Sequence, residues 1–114
     1  MNIKGEILKS EAVIPILSIL KNHSLNGYQL LKALEAAHIE SFAMNEGMLY
    51  VTLHALVDEK YLDAYWTDGS EEHPSRRCYR TTSRGIKELE KRSAKEHAKR
   101  LSGEKAGSSM TVTG

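Results

Sequence analysis

The run NEGMLYVTLHALVDEKYLDAYW, residues 45–66, holds two periodicities back to back. From Asn45 onward, Met48, Leu49, Leu53, Leu56 and Val57 recur at three- and four-residue intervals, the spacing of one inward helix face. Asn45 can accept a hydrogen bond from an orphan amide of the first turn, and Glu46 complements the positive end of the helix dipole. The pattern predicts a helix that ends near Lys60. Leu62, Ala64 and Trp66 then alternate with Asp63, Tyr65 and Thr67, a period of two that predicts a strand.

Working outward, Asp68 to Ser75 is a polar loop containing Gly69 and Pro74, and Arg77 to Thr82 is a second short strand. The two strands make a hairpin, which is marginal alone in water and must pack on helices. Upstream, Tyr28, Leu30, Leu31, Leu34 and Ala37 form the stripe of a helix from Asn26 to His38, with Asn26 as its cap and Ile39 to Ala43 as a short connection. The segment GEILKSEAVIPILSILKN, residues 5–22, carries Ile7, Leu8, Val13, Ile16, Leu17 and Leu20 at helical spacing. Pro15 lies inside it, so either that helix kinks or its front is a separate turn. Downstream, a helix from Ser83 to about Leu101 has a thin stripe of Ile86, Leu89, Ala94, Ala98 and Leu101, with Ser83 as the expected cap. The run GEKAGSSMTVTG beyond it reads as a mobile tail.

The expected fold is therefore mostly α with a small β-hairpin: a winged helix-turn-helix over residues 1–82, a dimerisation helix over 83–102 and a flexible tail over 103–114. A length of 114 residues, 40% of them hydrophobic and 27% charged, suits one modest core and leaves no room for a two-domain enzyme. The single cysteine, Cys78, excludes a disulfide framework and a cysteine-rich zinc module and fits a reducing compartment. No apolar run approaches the roughly 18 residues of a membrane span, and the first residues lack a signal peptide's apolar stretch. The expected location is cytoplasmic, with no membrane partner.

A net charge of +1 hides a partition. Residues 1–42 hold four basic and four acidic side chains, residues 43–75 one and seven, and residues 76–114 eleven and four. The basic final third suggests a footprint on an anion, since such asymmetry attracts nucleic acid. Arg76, Arg77 and Arg80 on the hairpin suit phosphates, because a guanidinium donates two parallel hydrogen bonds. In a winged helix the third helix enters the major groove while the hairpin rests on the adjoining backbone or minor groove. The expected partner is double-stranded DNA.

NGYQLLKAL at 26–34, NEGMLYVTLHALVDEKYLDAYW at 45–66 and RRCYRTTSRGIKELE at 76–90 together resemble the PadR family of bacterial winged-helix transcriptional regulators. The likeness covers about residues 5 to 100 and rests on the joint order of three motifs: a GY-containing second helix, an EGTLYPAL-like recognition helix and an RRYYRLTEAG-like strand. It implies a homodimeric regulator, a repressor, of the short subfamily with one C-terminal dimerisation helix. It also implies that Glu46, Gly47, Leu49 and Tyr50 belong to the recognition signature, with Tyr50 on a phosphate and Gly47 allowing close approach. Met48 stands where the family has threonine, and Val51 where it has proline. Met48 lacks the hydroxyl's hydrogen bond, so operator or docking angle shifts, unless the side chain simply packs in the core. Gly27 and Tyr28 match the second-helix signature, the phenol reaching the backbone or packing inward. Thr52 and Asn45 are candidate base-edge readers. His54 is a candidate too, although a solvated helix histidine is the plainer reading.

A dimer calls for an inverted-repeat operator with half-sites about one helical turn apart. Its expected interface is Ile7, Leu8, Val13, Ile86, Leu89, Ala94 and Leu101. Some relatives hold flat aromatic compounds between subunits through aromatic residues of the last helix. That helix has none here, so a small-molecule effector is without support, and Trp66 reads as a packing residue. The five histidines sit apart, with no metal-ligand spacing. Cys78 reads as a small strand residue more readily than as a redox-sensing thiol. No phosphate loop, nucleophile elbow or carboxylate pair points to catalysis, and no cofactor is expected. The rival reading is a winged-helix module that binds another protein through its acidic middle and never grips DNA.

Overall fold

The computed structural model describes residues 3–37, 45–72 and 74–111, with side chains through Leu101. Its elements are α1 (Ile3–Leu8), α2 (Val13–Asn22), β1 (Leu25–Asn26), α3 (Gly27–Ala36), α4 (Glu46–Asp58), β2 (Leu62–Trp66), β3 (Arg77–Thr81) and α5 (Ser83–Thr111). The expected connection at Ile39 to Ala43 lies outside the described residues.

The apolar run at 5–22 is two helices. Pro15 is the third residue of α2, where the helix has no inward partner for an amide, so proline is tolerated there and the front turn folds separately as α1. Asn26 caps α3 through a complete capping box: its Oδ1 accepts from Gln29 N at 2.8 Å, and Gln29 Oε1 accepts from Asn26 N at 3.0 Å. Asn45 caps α4 by accepting from Met48 N at 2.8 Å. At the far end of α4, Lys60 takes a left-handed φ of 68°. Its amide reaches Val57 O and that of Tyr61 reaches Leu56 O, which is a Schellman closure with lysine where glycine is cheapest.

The hairpin gains a third strand that the sequence reading lacked. The sheet order is β1-β3-β2, all antiparallel, with Leu25 opposite Tyr79 and Ala64 on the other side of Tyr79. The core joins Ile16, Leu17 and Leu20 of α2 to Leu30 and Leu34 of α3, Leu49, Leu53 and Leu56 of α4, Leu62 and Tyr79 of the sheet, and Leu89 of α5. Thr81 Oγ1 donates to Leu17 O at 2.8 Å and ties the sheet to α2.

Three expectations about the last helix change. Its cap is Thr82, whose Oγ1 accepts from Gly85 N at 2.9 Å, so Ser83 is already helical. The helix also continues to Thr111, where a flexible tail was expected from 103. Extending an existing helix adds one hydrogen bond per residue fixed, and Glu104, Lys105 and Ala106 are good helix formers, which offsets Gly103 and Gly107. Val13 and Leu89, expected at a subunit interface, are instead buried inside the protomer's own core.

Part of the acidic middle of the chain is matched internally. Asp58 and Glu59 hold the Lys4 ammonium at 3.1 and 3.2 Å, and the hydrogen bond it donates to Asp58, then that to Glu59, raises the lysine's pKa above its ordinary value. Glu59 also faces Arg84 at 3.9 Å, and Asp63 faces Arg80 at 3.8 Å. Such exposed pairs contribute little stability each, and they offset three of the seven acidic side chains of residues 43–75.

Candidate nucleic-acid interface

Helix α4 divides by its own periodicity. Leu49, Thr52, Leu53, Ala55 and Leu56 point into the core, and Glu46, Gly47, Met48, Tyr50, Val51 and His54 stand on the solvent side. Two expectations fail on this division. Thr52 is 2% exposed, and its hydroxyl donates to Met48 O at 2.9 Å, so it cannot read a base edge. Leu49 is fully buried and anchors the helix instead of touching a ligand. Met48 departs in the opposite direction: at 42% exposure it is a surface residue, not core packing.

Tyr50 stands against Gly27, the first residue of α3. A Cβ added at Gly27 would meet the Tyr50 hydroxyl oxygen at 2.5 Å and its ring carbons at 2.7 and 2.8 Å. Glycine at 27 is therefore a slot for the phenol, and the two signature positions are one steric unit. The slot opens onto a groove of about 580 Å³ lined by Asn26, Gly27, Tyr28, Tyr50, His54, Val57, Trp66, Ser75, Arg76, Arg77 and Tyr79. This groove runs from the start of α3 across α4 to the wing. Tyr28 is exposed at its rim, with the Lys32 ammonium 5.4 Å from its ring centre.

The wing splits its three arginines. Arg77 pairs with Trp66 across the strands, and its guanidinium lies 5.9 Å from the ring centres of both Trp66 and Tyr79. Stacking on those faces leaves the guanidinium edge free to donate. Arg76 joins it in the groove, where its backbone bonds with Thr67 extend the hairpin pairing. Arg80 does not join them. It sits over the Tyr65 ring, opposite Asp63, on the other face of the hairpin.

Trp66, expected to pack, is 62% exposed, because the helix-facing side of the wing runs past the edge of the core at that point. Val51 and Trp66 are the site residues that the sequence reading did not assign, and His54, weighed there as a solvated histidine, lines the groove. Helical spacing from Tyr50 reaches His54, and alternation from Leu62 reaches Trp66. Cys78 is buried on β3. Among the described residues no three His, Cys, Asp or Glu side chains cluster to hold a metal, and no helix is long and apolar enough to cross a membrane. His38 and His73 lie outside those residues.

Solved structures share this fold. A PadR-like transcription factor from Bacteroides fragilis superposes with a TM-score of 0.75 over 93% of this chain and 99% of its own, at 22% identity. A PadR family regulator from Eggerthella lenta gives 0.70 over 95% and 88%, at 26% identity. Bacillus subtilis PadR, solved in complex with operator DNA, gives 0.62 over 71% of this chain and 45% of its own, at 21% identity. No curated protein matches the sequence. Residues 16–91, well over half of the chain, match the transcriptional regulator PadR-like family, with the glycine slot, the α4 signature and the wing all inside the match; the chain belongs to that family of transcriptional regulators.

Proposed function

We propose that this protein is a homodimeric, sequence-specific DNA-binding repressor that acts on an inverted-repeat operator. The observation that carries the reading is the groove between α4 and the wing, where Tyr28, Tyr50, Arg76 and Arg77 converge beside the solvent face of α4. A phosphate backbone lying in that groove meets two guanidinium groups and two phenols, while the first turns of α4 face the bases. The relative solved on its operator has the same fold, which supports this docking. Asn45 and Glu46 open α4, but the Asn45 side chain is committed to its cap, which leaves Glu46, Met48, Val51 and His54 as the side chains available to bases.

The dimer rests on α5. After Arg92 every described side chain of that helix is exposed, including Ala94 and Leu101, and the molecule reaches 63 Å along its longest axis. An arm of this kind gains an apolar partner by pairing with a second copy, together with the half-buried Ile7, Leu8 and Ile86. The rival protein-binding reading loses part of its motive, because three of the seven acidic side chains of the middle segment, Asp58, Glu59 and Asp63, already face Lys4, Arg84 and Arg80.

Gel-shift of the purified protein with duplexes from its own upstream region tests the reading. A retarded complex whose protected sequence shows two related half-sites about one turn apart is expected. Absence of any shifted duplex at low salt contradicts it.

A further inference from the structure

Resting on the DNA-binding reading above, we propose that Met48 and Val51 form a thymine-methyl reader, a specificity element on α4 distinct from the phosphate groove. The two residues are three apart on one helix, hence neighbours on its surface. They are 42% and 49% exposed, in the first two turns of α4. Neither lines the groove with the wing, whereas Tyr50 and His54 do. The solvent face of α4 thus has a polar flank toward the wing and an apolar flank away from it.

Solvent-facing Met and Val are no help to a helix that already buries Leu49, Leu53 and Leu56. Alanine is a better helix former than either. Their chemistry also narrows the ligand. An isopropyl group offers neither donor nor acceptor and a thioether only a weak acceptor, so they are poorly suited to recognising a base by hydrogen bonds. The thymine C5-methyl is the apolar group that a base pair presents in the major groove, and apolar side chains pack on it there. The charged and phenolic groups of the adjoining groove would hold the backbone and bring this flank against the bases. The occupant is therefore thymine in each half-site.

The test uses the full-length protein and a duplex it selects from random-sequence DNA. Each thymine is replaced in turn by deoxyuridine, which removes the methyl and keeps every hydrogen-bonding atom. Binding should weaken about fourfold for each methyl read, the factor for burying one methylene-sized group, at one or two positions per half-site. The variant carrying Met48→Ala and Val51→Ala should bind thymine and deoxyuridine duplexes equally at those positions. A selected duplex that binds equally well with deoxyuridine everywhere would overturn the methyl reader and leave DNA binding standing. The same holds if the double variant keeps the full thymine preference, which would place the reader elsewhere. Failure to select any duplex would remove the DNA-binding reading itself, and this inference with it.

Discussion

The two halves of α5 obey different rules. From Ser83 to Arg92 the helix belongs to the head. A Cβ on Gly85 would collide with Tyr61 O, Leu89 enters the core, and Arg92 donates from Nη1 to Leu8 O and from Nε to Glu88 at 2.6 Å each. From residue 93 to 101 every side chain is exposed. One continuous helix therefore carries a stretch that holds the fold together and a stretch that gives the fold nothing. The difference teaches that the length of α5 is set by something other than the protomer's stability.

Substitutions should separate the halves. Leu89→Ala opens a cavity among α2, the sheet and α5, and should cost about 3 kcal/mol in urea unfolding. A cost under about 0.5 kcal/mol would move the boundary between the halves toward Ser83. Arg92→Ala strands the Leu8 carbonyl and frees α1 from α5; about 1 to 2 kcal/mol is expected from the same measurement.

Gly27→Ala tests the head's working surface while leaving the arm alone. The new methyl displaces the Tyr50 phenol from its slot, so affinity for the selected duplex should fall about tenfold, or about 1.4 kcal/mol. Unchanged affinity with intact α3 helicity would detach Tyr50 from the site. Leu101→Ala should have the smallest effect on the fold, within about 0.5 kcal/mol for dilute protein. Sedimentation should nevertheless show self-association weakened about tenfold, as expected where an exposed leucine is buried by a partner.

Much of this was legible in the residues. Asn26 and Asn45 announce their caps, and the change of period after Lys60 announces the wing. Strand and helix geometry alone correct two of the expectations. Residues three apart on a strand face opposite ways, so Arg77 and Arg80 could never share a face, although composition alone made them look like one cluster. Helical geometry likewise puts Thr52 between Leu49 and Leu56, on the buried side.

Other features left no signal. A strand of two residues such as β1 is too short to show a period. Alternation assigns Trp66 to the helix-facing side, but where the core ends along that strand depends on how far the helices extend beneath it. The steric pairing of Gly27 with Tyr50 joins positions 23 residues apart and exists only once α3 and α4 pack.

The central claim is that the groove between α4 and the wing grips a DNA backbone, and salt tests it directly. Each phosphate neutralised by a cationic side chain adds close to one unit to the steepness with which log affinity falls against log salt. Titrating the selected duplex against wild type and against the variant carrying Arg76→Ala and Arg77→Ala should show the slope falling by about two per bound protomer, with affinity lowered across all sequences. An identical slope for both proteins would contradict the account.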